Sequence, residues 1–414
     1  MSKSRLVRRM FRGFAALASL GVLAVAALLG SLWLEHRTAV TLPIPTGPFG
    51  VGRALYDWVD DTTPDALAPV PGTRRELLVW IWYPAASGQP GAMTGDYLPA
   101  AVRAAAERHR GVLIDSFLTR DLAKVHAHSI RDAEVSPQQR RYPVVVMRAG
   151  ASAEVWNYST LAEDLASHGY VVVGFDAPHR TLSVAFPDGR VMTRTPENDA
   201  ELCEEQPPAQ QAGCVNKILT AWTGDMAFVL DRLERWNAAD SSGRFAGRLD
   251  MTRVGVFGHS FGGAAAAQFC HDDARCKAGI DVDGQPFGSV IQEGLHRPFL
   301  FLLSDQVHGT DPETRRVLAN IQSIYGRLPA DGRLRIAIRG SNHFFFSDDA
   351  ALLKSHIAMR TLRVFGMVGI DGRRQLTVAA HCIHTFFDAY LKGASVSPLQ
   401  VSSPGYPEIE VLGP

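Results

Sequence analysis

From about Arg74 onward, short apolar runs alternate with longer stretches of helical periodicity. Glu76–Tyr83 (ELLVWIWY), Tyr142–Met147, Tyr170–Phe175, Arg253–Phe257, Ala278–Val282, Pro298–Ser304 and Leu334–Arg339 read as strands. The later runs are nearly continuous Val, Ile, Leu and Phe, the pattern of strands buried on both faces. Helical stretches lie between them: Tyr158–His168, Lys217–Asn237, Phe261–Cys270, Pro312–Tyr325 and Val378–Lys392. The alternation predicts an α/β fold with a mostly parallel central sheet and helices on both faces.

Four stretches break this rhythm. Phe14–Leu34 is uncharged and long enough to cross a hydrocarbon core as a helix. Residues 1–13 before it carry Lys3, Arg5, Arg8, Arg9 and Arg12 and no acid, which places them in the cytoplasm and the body outside it. Ala24-Val25-Ala26 offers a cleavage signal, but the apolar run continues past it, so an uncleaved anchor is expected. Either way the body is exported, periplasmic or extracellular, and secreted if the segment is cut. Residues 35–70, rich in Pro, Gly and Thr, read as a tether ahead of a domain over 71–396. Within that domain 181–217 reads as an irregular, lid-like insertion carrying Glu197, Asp199, Glu201, Glu204 and Glu205. Residues 397–414 read as a tail.

Composition narrows the function. The 414 residues are 46% hydrophobic and 20% charged, which excludes wholesale disorder. The zero net charge hides an asymmetry: without the five basic residues of the leader, 37 basic side chains face 42 acidic ones. A net-acidic body argues against nucleic acid as partner. Cys203 with Cys214, and Cys270 with Cys276, are candidate disulfides suited to an oxidising compartment, although five cysteines allow many pairings. Cys382, in an apolar run, reads as a buried thiol. His126-x-His128 and the acids of 181–217 read as solvated side chains, so no metal site and no cofactor are expected. Trp80, Trp82, Trp156 and Trp222 are candidates for an apolar cleft, core burial being the plainer reading.

The sharpest chemical signal is Gly258-His259-Ser260-Phe261-Gly262-Gly263. It matches G-x-S-x-G, in which a sharp strand-to-helix turn exposes a serine oxygen at a helix amino end. Here it follows the strand RVGVF and opens an Ala-rich helix, the context the motif requires. A serine needs a base, and His343, just past the last expected strand, fits that role. His296, His308, His381 and His384 fit it less well. For the acid, Asp283 ends one strand and Asp305 the next; spacing alone favours Asp305. Asp281, two residues before Asp283 in the same run, is set aside as the acid.

GHSFGG, GIDVDG and IRGSNHFFF, in that order, together with Leu165–Tyr170 (LASHGY), resemble the platelet-activating-factor acetylhydrolase family, the calcium-independent secreted phospholipase type. The likeness spans about residues 75–350 and implies an α/β-hydrolase fold. It implies Asp283 as the acid, with Asp305 as the alternative, and His343 as the base. It also implies an oxyanion hole from the Phe261 amide and an early loop. That loop, which often reads His-Gly-x-Gly, here reads Arg148-Ala149-Gly150-Ala151-Ser152, making Ala151 the second donor.

The function expected is hydrolysis of carboxylic esters through Ser260, His343, Asp283 and an acyl-enzyme, on short or oxidised acyl chains of phospholipids. The partners are an ester substrate and the membrane. A polyester, triglyceride or peptide hydrolase is the alternative within the fold. A catalytically silent, membrane-tethered binding module is the alternative outside enzymology, separable by a fluorophosphonate probe.

Overall fold

The computed structural model describes residues 3–86, 95–117, 119–203, 205–239, 243–353, 369–400 and 403–413. The chain opens with helix α1 (Lys3–His36), whose segment Met10–His36 is long and apolar enough to cross a membrane and whose apolar stretch is not buried against the body. The helix runs further at both ends than the uncharged run alone. Its last turn is tied down: Arg120 donates to the Glu35 carbonyl and carboxylate, and the Asp121 amide donates to the His36 carbonyl.

Ten strands form the main sheet. In chain order they are β1 (Gly50–Pro64), β2 (Arg74–Ala85), β3 (Ser129–Arg131), β4 (Tyr142–Arg148), β5 (Val171–Asp176), β6 (Leu249–His259), β7 (Cys276–Val282), β8 (Phe299–Leu303), β9 (Arg333–Ile338) and β10 (Ile409–Val411). Across the sheet the order is β10-β9-β8-β7-β6-β4-β5-β2-β1-β3. The six strands from β9 to β5 run parallel, so the loops after β4, β6, β7, β8 and β9 all emerge at one edge. Five further helices pack on the two faces: α2 (Ser159–Ser167), α3 (Pro208–Ala239), α4 (Phe261–Asp272), α5 (Pro312–Tyr325) and α6 (Gly372–Lys392).

Strand periodicity divides the core. On β4, Val145 and Met147 face the layer of α2 and α6, while Val144 and Val146 face the layer of α3, α4 and α5. β8 does the same, with Leu300 and Leu302 to one side and Phe299, Phe301 and Leu303 to the other. The four tryptophans expected as cleft candidates are core: Trp80, Trp82, Trp156 and Trp222 are each at most 2% exposed.

All seven expected strands are present, and three stretches differ from expectation. The tether contains β1, which pairs antiparallel with β2. Its proline- and glycine-rich flanks mask a run whose first five positions are buried and whose last four are exposed. The insertion 181–217 is partly regular: Ser183–Ala185 and Val191–Thr193 pair antiparallel, and α3 starts at Pro208. The tail supplies β10, which covers the β9 edge. Both disulfides, Cys203–Cys214 and Cys270–Cys276, are formed. Cys382 is buried, and burial pushes its thiol up to about 12.

Candidate active site

β6 ends at His259, and Ser260 caps α4 with φ +55° and ψ −126°. A non-glycine residue rarely holds such a conformation, and here the sequence around it removes the obstacles. A Cβ on Gly258 would lie 2.1 Å from the Gly262 carbonyl oxygen, and one on Gly262 would lie 2.3 Å from that of Ala149. The Ser260 amide donates to the Val282 carbonyl at 2.9 Å, fixing the turn to β7.

Asp283 follows β7 in a second left-handed conformation, φ +54°. Its Oδ1 accepts from the Ser304 amide at 2.7 Å and its Oδ2 from His343 Nδ1–H at 2.8 Å. Burial alone would raise this carboxyl. The His343 hydrogen bond and charge and the Ser304 amide outweigh it and hold the group below the ordinary carboxylate range. His343 begins a short 3-10 turn after β9, capped by Asn342, and the neighbouring Phe344 is 73% exposed. Ser260, Asp283 and His343 line one cavity of about 630 Å3, walled by Leu303, Val307, Val317, Leu318 and Ile321 and rimmed by Asp311 and Glu313. A larger cavity of about 720 Å3, with Val215, Phe287 and Ile291 in its wall, adjoins it through Gln285.

Asp305 sits elsewhere. It starts a short 3-10 turn, is 45% exposed, and lies 3.9 Å from His308 Nε2. Asp281 is fully buried beneath the turn, where its Oδ1 accepts from the Gly284 amide at 2.8 Å and would meet a Cβ on Gly263. Burial raises its carboxyl to about 8, so it stays neutral.

The loop after β4 brings Gly150 against Ser260: a Cβ there would lie 3.3 Å from the serine Cβ. Among the described residues, neither the Ala151 nor the Phe261 amide N–H has a hydrogen-bond partner, although both residues are buried. The loop is braced from the insertion. Arg194 donates to the Ala151 carbonyl at 2.7 Å and pairs with Asp199, and Ser152 donates to Glu201 at 2.6 Å. Glu204 lies outside the described residues. Glu201 directly, and Asp199 through Arg194, are therefore engaged with the loop rather than merely solvated.

Sequence reasoning assigned nothing to His259 and Tyr158, yet both are buried against the site and bonded to each other. His259 was visible only as the variable position of the motif. His128 is buried, not solvated, and its Nε2–H donates to the Leu42 carbonyl. Away from the cavity, Asp164, His168 and His384 bring one ligand-type atom each within 4.8 Å of one another. Those atoms are bonded within the group and to Thr46.

A strained serine between a parallel strand and a helix, lining one cavity with an Asp–His pair on the same sheet edge, defines an α/β-hydrolase. Comparison with known proteins carries this further, to a carboxylic ester hydrolase. The sequence profile of platelet-activating factor acetylhydrolase, isoform II, matches residues 36–201 and 236–394, and the chain belongs to that family. A probable 1-alkyl-2-acetylglycerophosphocholine esterase of Arthroderma benhamiae is 25% identical over 95% of this chain and 99% of its own length. The platelet-activating factor acetylhydrolase of Cavia porcellus is 25% identical over 61% of this chain and 57% of its own. Among solved structures, a ferulic acid esterase from Streptomyces cinnamoneus matches with a TM-score of 0.72 and 26% identity, over 91% of this chain and all of its own.

Proposed function

We propose that the chain is a serine esterase of short or oxidised acyl chains on phospholipids, held at a membrane by α1 with its body on the exported side. Ser260 is the nucleophile, His343 the general base and Asp283 the group that orients it. As the Ser260 oxygen bonds to the ester carbonyl carbon, its proton passes to His343 Nε2 and the carbonyl electron pair moves onto oxygen. The Phe261 and Ala151 amides stabilise that oxyanion. The intermediate collapses, the alcohol leaves with the proton from His343, and water repeats the sequence on the acyl-enzyme. The observation that carries this reading is the 2.8 Å His343–Asp283 hydrogen bond at the wall of the cavity that Ser260 lines. The names of the relatives support the phospholipid substrate. The two disulfides support an oxidising compartment.

A fluorophosphonate probe should label the wild type and not Ser260→Ala, which should lose at least about 10^4-fold in kcat. Labelling that survives the substitution would remove Ser260 from the mechanism. The ferulic acid esterase likeness supports a second reading, an ester of an aromatic acid. A panel of acetyl and longer-chain phospholipids beside hydroxycinnamate esters separates the two by kcat/KM.

A further inference from the structure

His259 takes no part in the reaction just described, yet both its ring nitrogens are engaged. Nε2 lies 2.9 Å from the His343 carbonyl oxygen and Nδ1 lies 2.7 Å from Tyr158 Oη. Tyr158 Oη in turn accepts from the Gly150 amide at 3.2 Å. A carbonyl can only accept, so Nε2 must carry the proton. In a neutral ring Nδ1 is then an acceptor, and Tyr158 must spend its one O–H on it, leaving an oxygen lone pair for Gly150. Every direction in the chain follows from that one carbonyl. Burial, with the facing His343 imidazole adding to it, pushes His259 down to about 3, which keeps the ring neutral at working pH. Burial also raises the Tyr158 phenol, so its O–H stays a donor.

The two ends of this chain are the two parts of the site that must agree in position. Gly150 precedes the Ala151 amide, the second oxyanion donor of the proposed mechanism. His343 is its base, and the His259 ring also lies against the His343 ring, centroids 4.5 Å apart. The two segments follow strands β4 and β9, which have three strands between them in the sheet, and no backbone ladder joins them directly. We infer that Tyr158 and His259 form one hydrogen-bonded relay that sets the oxyanion loop in register with the base loop, making both positioning residues for ester hydrolysis. The relay is static: no proton moves along it during turnover. The inference rests on the Ser260, His343 and Asp283 reading.

The test is a double-mutant cycle on the full chain with a soluble ester, p-nitrophenyl butyrate, with circular dichroism and probe titration of active sites counting folded enzyme. Tyr158→Phe removes one oxygen and keeps the ring. It should lower kcat roughly 10- to 100-fold with KM within about twofold, the signature of lost transition-state positioning. Affinity for an alkyl boronic acid, a tetrahedral mimic, should fall in step with kcat/KM. His259→Leu should cost about as much. His259→Gln, whose amide offers one donor and one acceptor, should recover activity to within about fivefold of wild type. The double variant Tyr158→Phe/His259→Leu should be no more than about twofold worse than the poorer single, because cutting one chain twice adds little. Multiplying losses, a raised KM at unchanged kcat, or a fully active Tyr158→Phe would each overturn the relay. Should His259→Leu not fold, Tyr158→Phe and the glutamine rescue decide alone. Failure of the underlying reading shows separately, as activity retained by Ser260→Ala.

Discussion

Asp283 with His343 and Asp164 with His384 are the same chemical pair twice over: a buried carboxylate Oδ2 accepting from an imidazole Nδ1–H at 2.8 Å. Only the first borders a cavity with a strained serine in its wall. The second is closed on itself. Asp164 Oδ1 accepts from the Thr46 amide and hydroxyl at 2.9 and 2.7 Å. The Thr46 oxygen accepts from His168 Nε2–H at 2.9 Å, and the His168 and His384 rings stack with centroids 3.9 Å apart. That pair fastens residues 46–49, the stretch that follows helix α1, onto the end of α2, with Gly47 and Phe49 amides bonded to Ser167 beside it. An Asp–His hydrogen bond is therefore not a catalytic signature in itself. What matters is what the far side of the imidazole faces and whether the carboxylate's other oxygen is held by backbone or by a strap.

The same Asp→Asn exchange should cost activity at the first pair and little at the second. In Asp283→Asn the amide NH2 faces His343 Nδ1, which must then give up its proton and carry it on Nε2, the nitrogen needed as base. We expect kcat to fall about 10^3- to 10^4-fold while the melting temperature stays within a few degrees. In Asp164→Asn the amide still accepts from Thr46 and can donate to His384. Activity on a soluble ester should stay within about twofold and stability should drop by only about 1–2 kcal/mol in urea melts. Asp164→Ala leaves the Thr46 and His384 donors unpaired and should cost about 2–4 kcal/mol. A strongly inactive Asp164→Asn would mean that the two pairs are coupled.

Acid separates them further. Burial, then the adjoining His384 imidazole, pushes His168 down to about 4, and burial does the same for His381. A histidine whose folded pKa is depressed binds fewer protons folded than unfolded between its ordinary 6.5 and about 4. Its stabilising share is complete above that window and is lost as pH falls through it. Burial opposes ionisation of Asp164, but its bonds to His384 and Thr46 hold it below the ordinary range, so its share is lost at still lower pH. Stability should therefore fall from pH 6.5 toward 4. His168→Phe should take up about one fewer proton on unfolding at pH 5, flattening the slope of stability against pH by about 1 kcal/mol per unit. An unchanged slope would place the titration elsewhere.

The sequence made one pair far more legible than the other, for physical reasons. The strand, the glycines and the serine of the nucleophile turn lie within eleven residues, Arg253–Gly263, and the turn is a local event. The seven buried strands announced themselves because both faces had to be apolar. β1 did not, since only its first five positions are continuously buried and its last four are exposed, between flanks rich in turn-forming residues. The strap is made by contacts 118 and 220 residues apart, and the Tyr158–His259 bond spans 101. No periodicity encodes those separations. The choice of acid was ambiguous for the same reason. Asp283 and Asp305 each follow a strand, and what distinguishes them is the left-handed turn at Asp283 that brings its carboxylate to His343.

That distinction gives the smallest expected effect and the cleanest control for the first. Asp305 stands at the same sheet edge, after the next strand, and carries the same charge. If the Asp283 carboxylate acted only by adding negative potential near His343, a second carboxylate one strand away would share the work, and removing it would cost activity. Asp305 is 45% exposed, and solvent-exposed charges typically interact by less than about 1 kcal/mol. Asp305→Asn should therefore keep kcat and KM within about twofold of wild type. A loss approaching that of Asp283→Asn would transfer the orienting role to Asp305 and require the loop after β8 to close on His343 when substrate binds.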